Sequence, residues 1–589
     1  MTGRGRLETA VLAVAAASAG FVTAVTFADA IGPALLTDPD PRWTWPRFVL
    51  GLATAAVGAG AAAIAVGTIV LLRGRPAMAD PPPALELSRT ALGLLAAISL
   101  LLGAAIRLRA LEQIPFSLFH DELLLLPATL ELTGGAGDFR DSIRTVLDDA
   151  GRSSGSVGVL YLEAFRAMIA VFGTTVLGVR MLSAAGGLLS LATGTLLGAA
   201  FLPAGGATLA AAILAGLRWH LILSRWGWNM IVFVPIADVA TLLALKARRR
   251  ESVGAATGAG LLAGAGAHVY LSAWIVGPAL ALFAAWPRPG SRARPAAALA
   301  LVLGFAVAAA PLFLLREGRR ASYLVRASNH NVFVEMRLTR SVLPLAHAGR
   351  DALVAPWFLP DPIPRNDLPG MPRLPILVAA GLAIACLRAA VAPRDDLPAL
   401  LLAQALFAFL VCLAWGEALM ANGSRFGYLT TVASVAAAAG LLTLIGAAPA
   451  SWRRPAALLA FGALGVSGAR AIGELERWDA SHDAYVHFVG QHTTVGRAAA
   501  RWEAYGPVKL EVSRLYAPLT IDVIRSHRIF PRADVPRDAP PGPRGPRRFR
   551  VSEPETMPRP GERVVERVRD PWGRDWAVVL GRLDGATSP

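Results

Sequence analysis

A chain of 589 residues that is 54% apolar, with a mean hydropathy of +0.51, is too hydrophobic for an ordinary soluble enzyme. The net charge of +16 invites a nucleic-acid reading, but where uncharged runs of roughly 20 residues recur, excess Lys and Arg mark the cytoplasmic loops of a membrane protein. The two cysteines, Cys386 and Cys412, both lie in apolar runs, which excludes a disulfide framework and a thiolate metal site.

Hydrophobic length and basic flanks predict about thirteen spans. The basic N-terminus MTGRGR starts inside, and spans 9–33 and 48–72 follow before RGRPAMADPPPALELSR returns inside. Ala28-Asp29-Ala30 resembles a signal-peptide cleavage site, but the apolar core ahead of it is longer than a usual h-region, so 9–33 reads as an anchor. Span 89–108 runs outward and delivers FHDELLLL, residues 119–126, to the extracytoplasmic side. Residues 157–172, VGVLYLEAFRAMIAVF, are short for a span and carry Glu163 and Arg166; they read as an amphipathic interfacial helix, with a second beginning at DELLLLPATLEL. Spans 179–201, 205–224 and 228–245 lead to KARRRE inside, and 253–269 with 271–286 form an outer hairpin. After RPGSRARP inside come span 296–315, an outer loop 316–372, span 374–391, a second outer hairpin 397–415 and 426–447, SWRRP inside, and span 455–470. Were 157–172 to span, KARRR would fall outside, against the positive-inside rule.

The tail is polar. HDAYVHFVGQHTTVGRAAARWEAY reads as helix, PVKLEVS and WAVVLG as strands, and PRADVPRDAPPGPRGPRRFR as an irregular loop. The expected fold is therefore an all-α polytopic membrane protein with interfacial helices in the first outer loop, plus a small α/β extracytoplasmic C-terminal domain. Residues 1–84 hold two extra N-terminal helices, 85–472 the transmembrane catalytic domain, and 473–589 the C-terminal domain.

Ionisable side chains in or against hydrocarbon are costly, so each is a functional candidate. Asp121 and Glu122, preceded by His120, follow span 89–108; Arg152 lies in DDAGRSSGSVG and Arg225 in LSRWGWN. His268 and Tyr270 lie in AHVYLSAW, Arg326 and His330 in VRASNHNVF, and Arg425 and Tyr428 in NGSRFGYL. The topology brings all of them to one membrane face. A partly desolvated carboxylate there is a better base near neutral pH, and arginines suit a phosphate. Together they fit a lipid-borne substrate such as a polyprenyl-phosphate sugar. Each residue also has a plainer reading. Asp-Glu can be a charge pair at a helix N-terminus, Arg225 and Arg425 snorkelling anchors, His268 a hydrogen-bonded core residue, and Tyr270 part of an aromatic belt. Asp238 and Arg218 read as a buried ion pair between neighbouring spans. His482, His487 and His492 are too loosely spaced to define a metal site.

Four segments resemble the GT-C class of membrane glycosyltransferases, in particular its aminoarabinose-transferase-like and protein-mannosyltransferase-like branch. They are RALEQIPFSLFHDELLLLPATLEL; LYLEAFRAMIAVFGTTVLGVRMLSAAGGLL; LILSRWGWNMIVFVPIADVATLLALKARRR; and GAGAHVYLSAW with the later RFGY. The resemblance covers roughly 85–475 and implies a GT-C-like fold. It makes Asp121 the catalytic base and Glu122 a supporting or acceptor-binding carboxylate. Relatives often carry an acid and a proline before the interfacial helix; GRSSGSVG keeps Arg152 but neither of these, and Asn229 lies where some relatives have a second acid. The implied activity is inverting transfer from a polyprenyl-phosphate sugar to a lipid, glycan or protein acceptor at the bacterial plasma membrane, with no nucleic-acid partner. A lipid-linked glycan ligase or polymerase, and more remotely a transporter, are the alternatives. No cofactor is specified; the adjacent carboxylates and His120 leave a divalent cation open, without defining a metal site.

Overall fold

The computed structural model describes residues 82–116, Leu118, Glu122, 159–270, 272–288, 295–311, 332–345, His347, Asp361, 363–368, 371–415, 426–488, 490–503, 507–511 and 548–582. The two N-terminal spans expected at 9–33 and 48–72 lie outside them, as does DELLLLPATLEL apart from Glu122.

The chain is an integral membrane protein, mostly helical. Among the described residues five helices are long and apolar enough to cross a bilayer: α1 (Arg89–Leu108), α3 (Val176–Phe201), α6 (Asn229–Arg250), α13 (Leu429–Ala447) and α14 (Ala450–Asp479). Helices α11 (Ile376–Val391) and α12 (Asp396–Trp415) make a sixth if counted as one span bent by 100°. The remaining apolar helices are shorter: α4 (Gly206–Gly216), α7 (Val253–Gly266), α8 (Ala273–Ala285) and α9 (Pro295–Ala309). Side-chain hydroxyls start several of these elements; Ser88 and Thr175 accept the N–H groups of Ala91 and Gly178, which a helix's first turn leaves without partners.

Helix α13 is the most enclosed, with Ala436, Ala437 and Ala438 fully buried. Helix α1 instead leaves Leu94, Leu101 and Leu102 exposed, as a lipid-facing surface requires. Hydrocarbon supplies no hydrophobic drive between helices, so small residues allow close packing. Gly304 of α9 sits so near α7 that a Cβ there would lie 2.6 Å from the Thr257 carbonyl oxygen.

Residues 159–172 form helix α2 (Val159–Phe172), with Glu163 and Arg166 3.6 Å apart as an i,i+3 pair. The predicted span 205–224 is broken at Leu217 into α4 and the short α5 (Arg218–Leu223). The predicted Arg218–Asp238 pair does not form. Asp238 accepts from Thr193 and Thr431, each at 2.6 Å, tying α3, α6 and α13 together. Arg218 turns instead to Asp367 at 2.6 Å and Glu474 at 2.7 Å. Two hydroxyls satisfy Asp238, while Arg218 stands at a helix break where its arm reaches the loop. Loop 316–372 also contains a helix, α10 (Val332–Thr339).

Helix α14 has 30 residues and spans roughly 45 Å, well beyond a hydrocarbon thickness of about 30 Å. It runs unbroken through residue 473, where the change to GELERWD suggested a boundary. The predicted tail helix is two helices, α15 (His482–His487) and α16 (Gly490–Glu503). A four-stranded sheet follows, with β1 (Val508–Glu511), β2 (Arg548–Ser552), β3 (Glu562–Arg569) and β4 (Asp575–Arg582) in the order β1-β2-β4-β3. The β1–β2 pair is parallel and the others antiparallel. Val495, Ala498 and Ala499 of α16 pack on Phe549, Val551 and Val579, forming a second core. Strands β1 and β4 match the expected strands. The end of the stretch expected to be irregular is strand β2, and β3 was not expected; its charged sequence ERVVERVR suits a sheet edge.

Arg550 of β2 joins Glu562 at 2.5 Å and Glu511 at 3.1 Å. The Arg550 hydrogen bond holds Glu562 below its ordinary pKa of 4.5, and Lys509 with Arg550 does the same for Glu511. Depressed carboxylates stabilise the fold above their unfolded pKa, and that contribution is lost as pH falls through the folded value. The protection of amides across 548–582, relative to their intrinsic exchange rates at each pH, is therefore expected to weaken as pH drops below about 4.5. Arg550→Met should shrink this acid step by removing the main partner of Glu562, and an equal acid response in both proteins would refute it.

Candidate functional site

The first requirement is the path of the chain after α1. The last carbonyls of a helix lack intrahelical donors. Arg225, in the turn after α5, supplies them: Nη1 donates to the carbonyls of Ile106 and Arg107 at 2.8 and 3.0 Å. Nη2 donates to Arg109, Ala110 and Ile114 at 2.6, 3.1 and 3.2 Å. These terminal nitrogens, expected to meet a phosphate, are committed to backbone. Arg225 thus fixes how the chain leaves the bundle toward the Asp-Glu pair. Beneath it, Arg107 donates to His220 Nδ1 at 2.7 Å, and His220 Nε2 lies 2.6 Å from Ser190 Oγ. Arginine only donates, so Nδ1 accepts and the His220 proton sits on Nε2, directed to Ser190.

Glu122 is fully buried. Its Oε1 accepts the Gly227 N–H at 2.5 Å and lies 3.9 Å from Arg180 Nε. Arg180 also donates to the Leu111 carbonyl at 2.9 Å, so one guanidinium touches both ends of the post-α1 turn. Glu122 is an anchor facing into the protein.

The loop Arg225–Met230 is where the motif segments meet. Gly227 receives Glu122, and Ser183 Oγ donates to the Trp228 carbonyl at 2.9 Å. Asn229 Nδ2 donates to the Val269 carbonyl at 2.8 Å, which seats the turn bearing His268 and Tyr270. Met230 packs on Gly427, which brings in Phe426-Gly427-Tyr428. His268 accounts for its own polarity locally: Nε2 is 2.9 Å from the Ala308 carbonyl, and its own carbonyl accepts the Tyr161 N–H of α2 at 3.4 Å. Tyr270 and Tyr428 are both buried. Of the sequence candidates, the structure gathers Glu122, Arg225, His268, Tyr270 and Tyr428 around this loop. Asp121, His120, Arg152, Arg326, His330 and Arg425 lie outside the described residues.

Further residues close over the loop. Trp226 and Trp228 stack at 5.3 Å, Phe488 meets Trp226 edge-on at 6.1 Å, and the Arg365 guanidinium lies 5.9 Å above the Trp226 ring. Asp479, at the end of α14, accepts the Phe116 N–H at 2.6 Å; Tyr485 and Arg497 flank the Phe116 ring at 5.6 and 4.8 Å. The chain leading to FHDE is thus held by the C-terminal region. Arg180 lies in the segment LYLEAFRAMIAVFGTTVLGVRMLSAAGGLL, but no sequence signal paired it with Glu122. Among the described residues no three His, Cys, Asp or Glu side chains converge on a metal-sized site.

A Cβ at Gly227 would lie 2.8 Å from the Val179 carbonyl and 3.0 Å from Glu122 Oε1. Gly227→Ala is expected to cost about 1–3 kcal/mol through overpacking. Thermal unfolding in detergent measures it, and a wild-type melting temperature would show that Glu122 is not held there.

The chain is similar to solved structures of ArnT and of an archaeal oligosaccharyltransferase. ArnT from Cupriavidus metallidurans bound to undecaprenyl phosphate is 13% identical with a TM-score of 0.45, over 85% of this chain and 100% of that one. Apo ArnT gives 14% and 0.46, over 85% and 99%. The Archaeoglobus fulgidus oligosaccharyltransferase tethered to an acceptor peptide gives 14% and 0.40, over 74% of this chain and 63% of that one. No protein-family model matches the chain. No curated protein matches it.

Proposed function

We propose that the chain is an inverting glycosyltransferase that moves a sugar from a polyprenyl-phosphate donor to an acceptor hydroxyl on a lipid, glycan or protein. The observation that carries the reading is the seating of Glu122 on the Gly227 N–H, at the loop where the other motif segments meet. Successive side chains on a regular backbone diverge. With Glu122 as the anchor, Asp121 is the base. The acceptor oxygen attacks the anomeric carbon, the bond from that carbon to the phosphate oxygen breaks, and the acceptor proton passes to the Asp121 carboxylate. The departing lipid phosphate needs no acid, only cations; Arg152, Arg326 and Arg425 are assigned to it. His120, His330, Tyr270 and Tyr428 are assigned to the substrate walls. In this reading the site and residues 473–589 face the extracytoplasmic side of a bacterial plasma membrane, and about thirteen spans complete the fold.

The test is mass spectrometry of cell-envelope lipids and glycans from a deletion strain. Loss of one glycosylated species, restored by the intact gene, is expected. A profile identical to the parent's would refute the proposal.

A further inference from the structure

At the opposite end of α6 from Asn229, roughly 33 Å away along the helix, lies a half-open pocket of about 300 Å³. Among the described residues its polar wall is Arg249, Arg288, Arg388, Arg394, Asp395 and Asp396. Four arginines against two aspartates leave a balance of +2. The acids are shared: Asp396 meets Arg249 at 2.7 Å, Arg288 at 3.9 Å and the buried Arg248 behind them at 2.9 Å. Asp395 lies 3.6 Å from Arg388. Arg394 is exposed and, among the described residues, makes no ion pair; its carbonyl accepts from Arg248 at 2.7 Å, which fixes its backbone at the rim. The rest of the wall includes Phe201 and Leu401, and α12 continues with exposed Leu406 and Leu410.

We propose that this pocket binds the phosphate headgroup of an anionic phospholipid. Its volume is at the lower limit of small-ligand sites, about 300 Å³, enough for a headgroup whose acyl chains stay in the bilayer. The guanidiniums in excess of the acids suit a phosphodiester. The apolar wall continuing along α12 suits a ligand with a tail, which a free phosphate lacks. The loops that supply the arginines are the basic ones that the positive-inside rule assigns to the cytoplasmic leaflet, where anionic lipids attract such pockets.

Native mass spectrometry of the purified full chain tests this, with phosphatidylglycerol, phosphatidylcholine and inorganic phosphate as probes. Wild-type protein should retain phosphatidylglycerol at least tenfold over phosphatidylcholine and show no phosphate adduct. Arg288→Gln with Arg394→Gln should lose that retention at least fivefold, while Arg454→Gln, exposed at the same end of the bundle, should keep it. Thermal unfolding of wild-type protein with each lipid gives a second readout, in which phosphatidylglycerol alone should raise the melting temperature. Equal loss in the Arg454 variant, equal retention of both lipids, or displacement of the lipid by inorganic phosphate would overturn the proposal.

Discussion

Asp121→Asn is expected to abolish sugar transfer while the protein still inserts and folds. The amide keeps the shape of the carboxylate but cannot take a proton from the acceptor hydroxyl. A positioned base contributes about 10²–10⁴ in rate, so residual transfer should fall by at least a hundredfold. Glu122→Gln separates this role from anchoring. It removes the charge facing Arg180 inside the protein, so it should lower the melting temperature as well as activity. Transfer from a polyprenyl-phosphate sugar in membrane vesicles, read beside thermal unfolding, distinguishes the two variants. Full transfer by the Asp121 variant would sink the base assignment.

Arg218→Ala should give the largest loss of stability, about 3–5 kcal/mol. Arg218 Nε meets Asp367 at 2.6 Å, Nη1 meets Glu474 at 2.7 Å, and Nη2 donates to the Pro372 carbonyl at 2.7 Å. Both carboxylates are buried, and burial already raises the pKa of Asp367 against the pull of Arg218. Without the guanidinium, Asp367 must take up a proton or stay charged without its main partner. The variant also unfastens residues 361–373 from the break between α4 and α5, where Trp478 Nε1 reaches the Pro364 carbonyl at 2.6 Å. Converting all three residues together, Arg218→Met with Asp367→Asn and Glu474→Gln, should recover much of the loss, because no buried charge is left uncompensated. Thermal unfolding in detergent measures both variants. A loss below about 1 kcal/mol for Arg218→Ala would show that the network is incidental to stability.

Hydropathy made the long spans legible, and the Glu163–Arg166 segment was recognisable as a helix too short to cross. It could not reveal the breaks, because residues 205–224 carry no proline or charge run at Leu217. Nor could it pair charges across the chain. Arg218 and Asp238 were matched by depth, but the partners of Arg218 lie 149 and 256 residues away. Arg225 was singled out for its place at a membrane face, a position that suits a phosphate ligand and a helix cap equally. In the tail, WAVVLG announced β4 through its buried run, whereas ERVVERVR gave little apolar signal. At the site, the segment around Glu122 was readable as a motif. Its direction was not, because an inward-facing anchor and a reactive carboxylate share the same letters.

Helix α14 has a consequence for the surrounding membrane. Only its apolar part, residues 455–470, lies in the hydrocarbon, and a change in bilayer thickness acts on that stretch by changing the helix tilt. Asp479 ends the helix and holds the Phe116 N–H three residues ahead of FHDE. Its other end is tied down where Arg453 meets Glu86 at 3.2 Å, just ahead of α1. The helix thus grips both approaches to α1. Hydrophobic mismatch would therefore be felt on both sides of α1, at Glu86 and at Phe116.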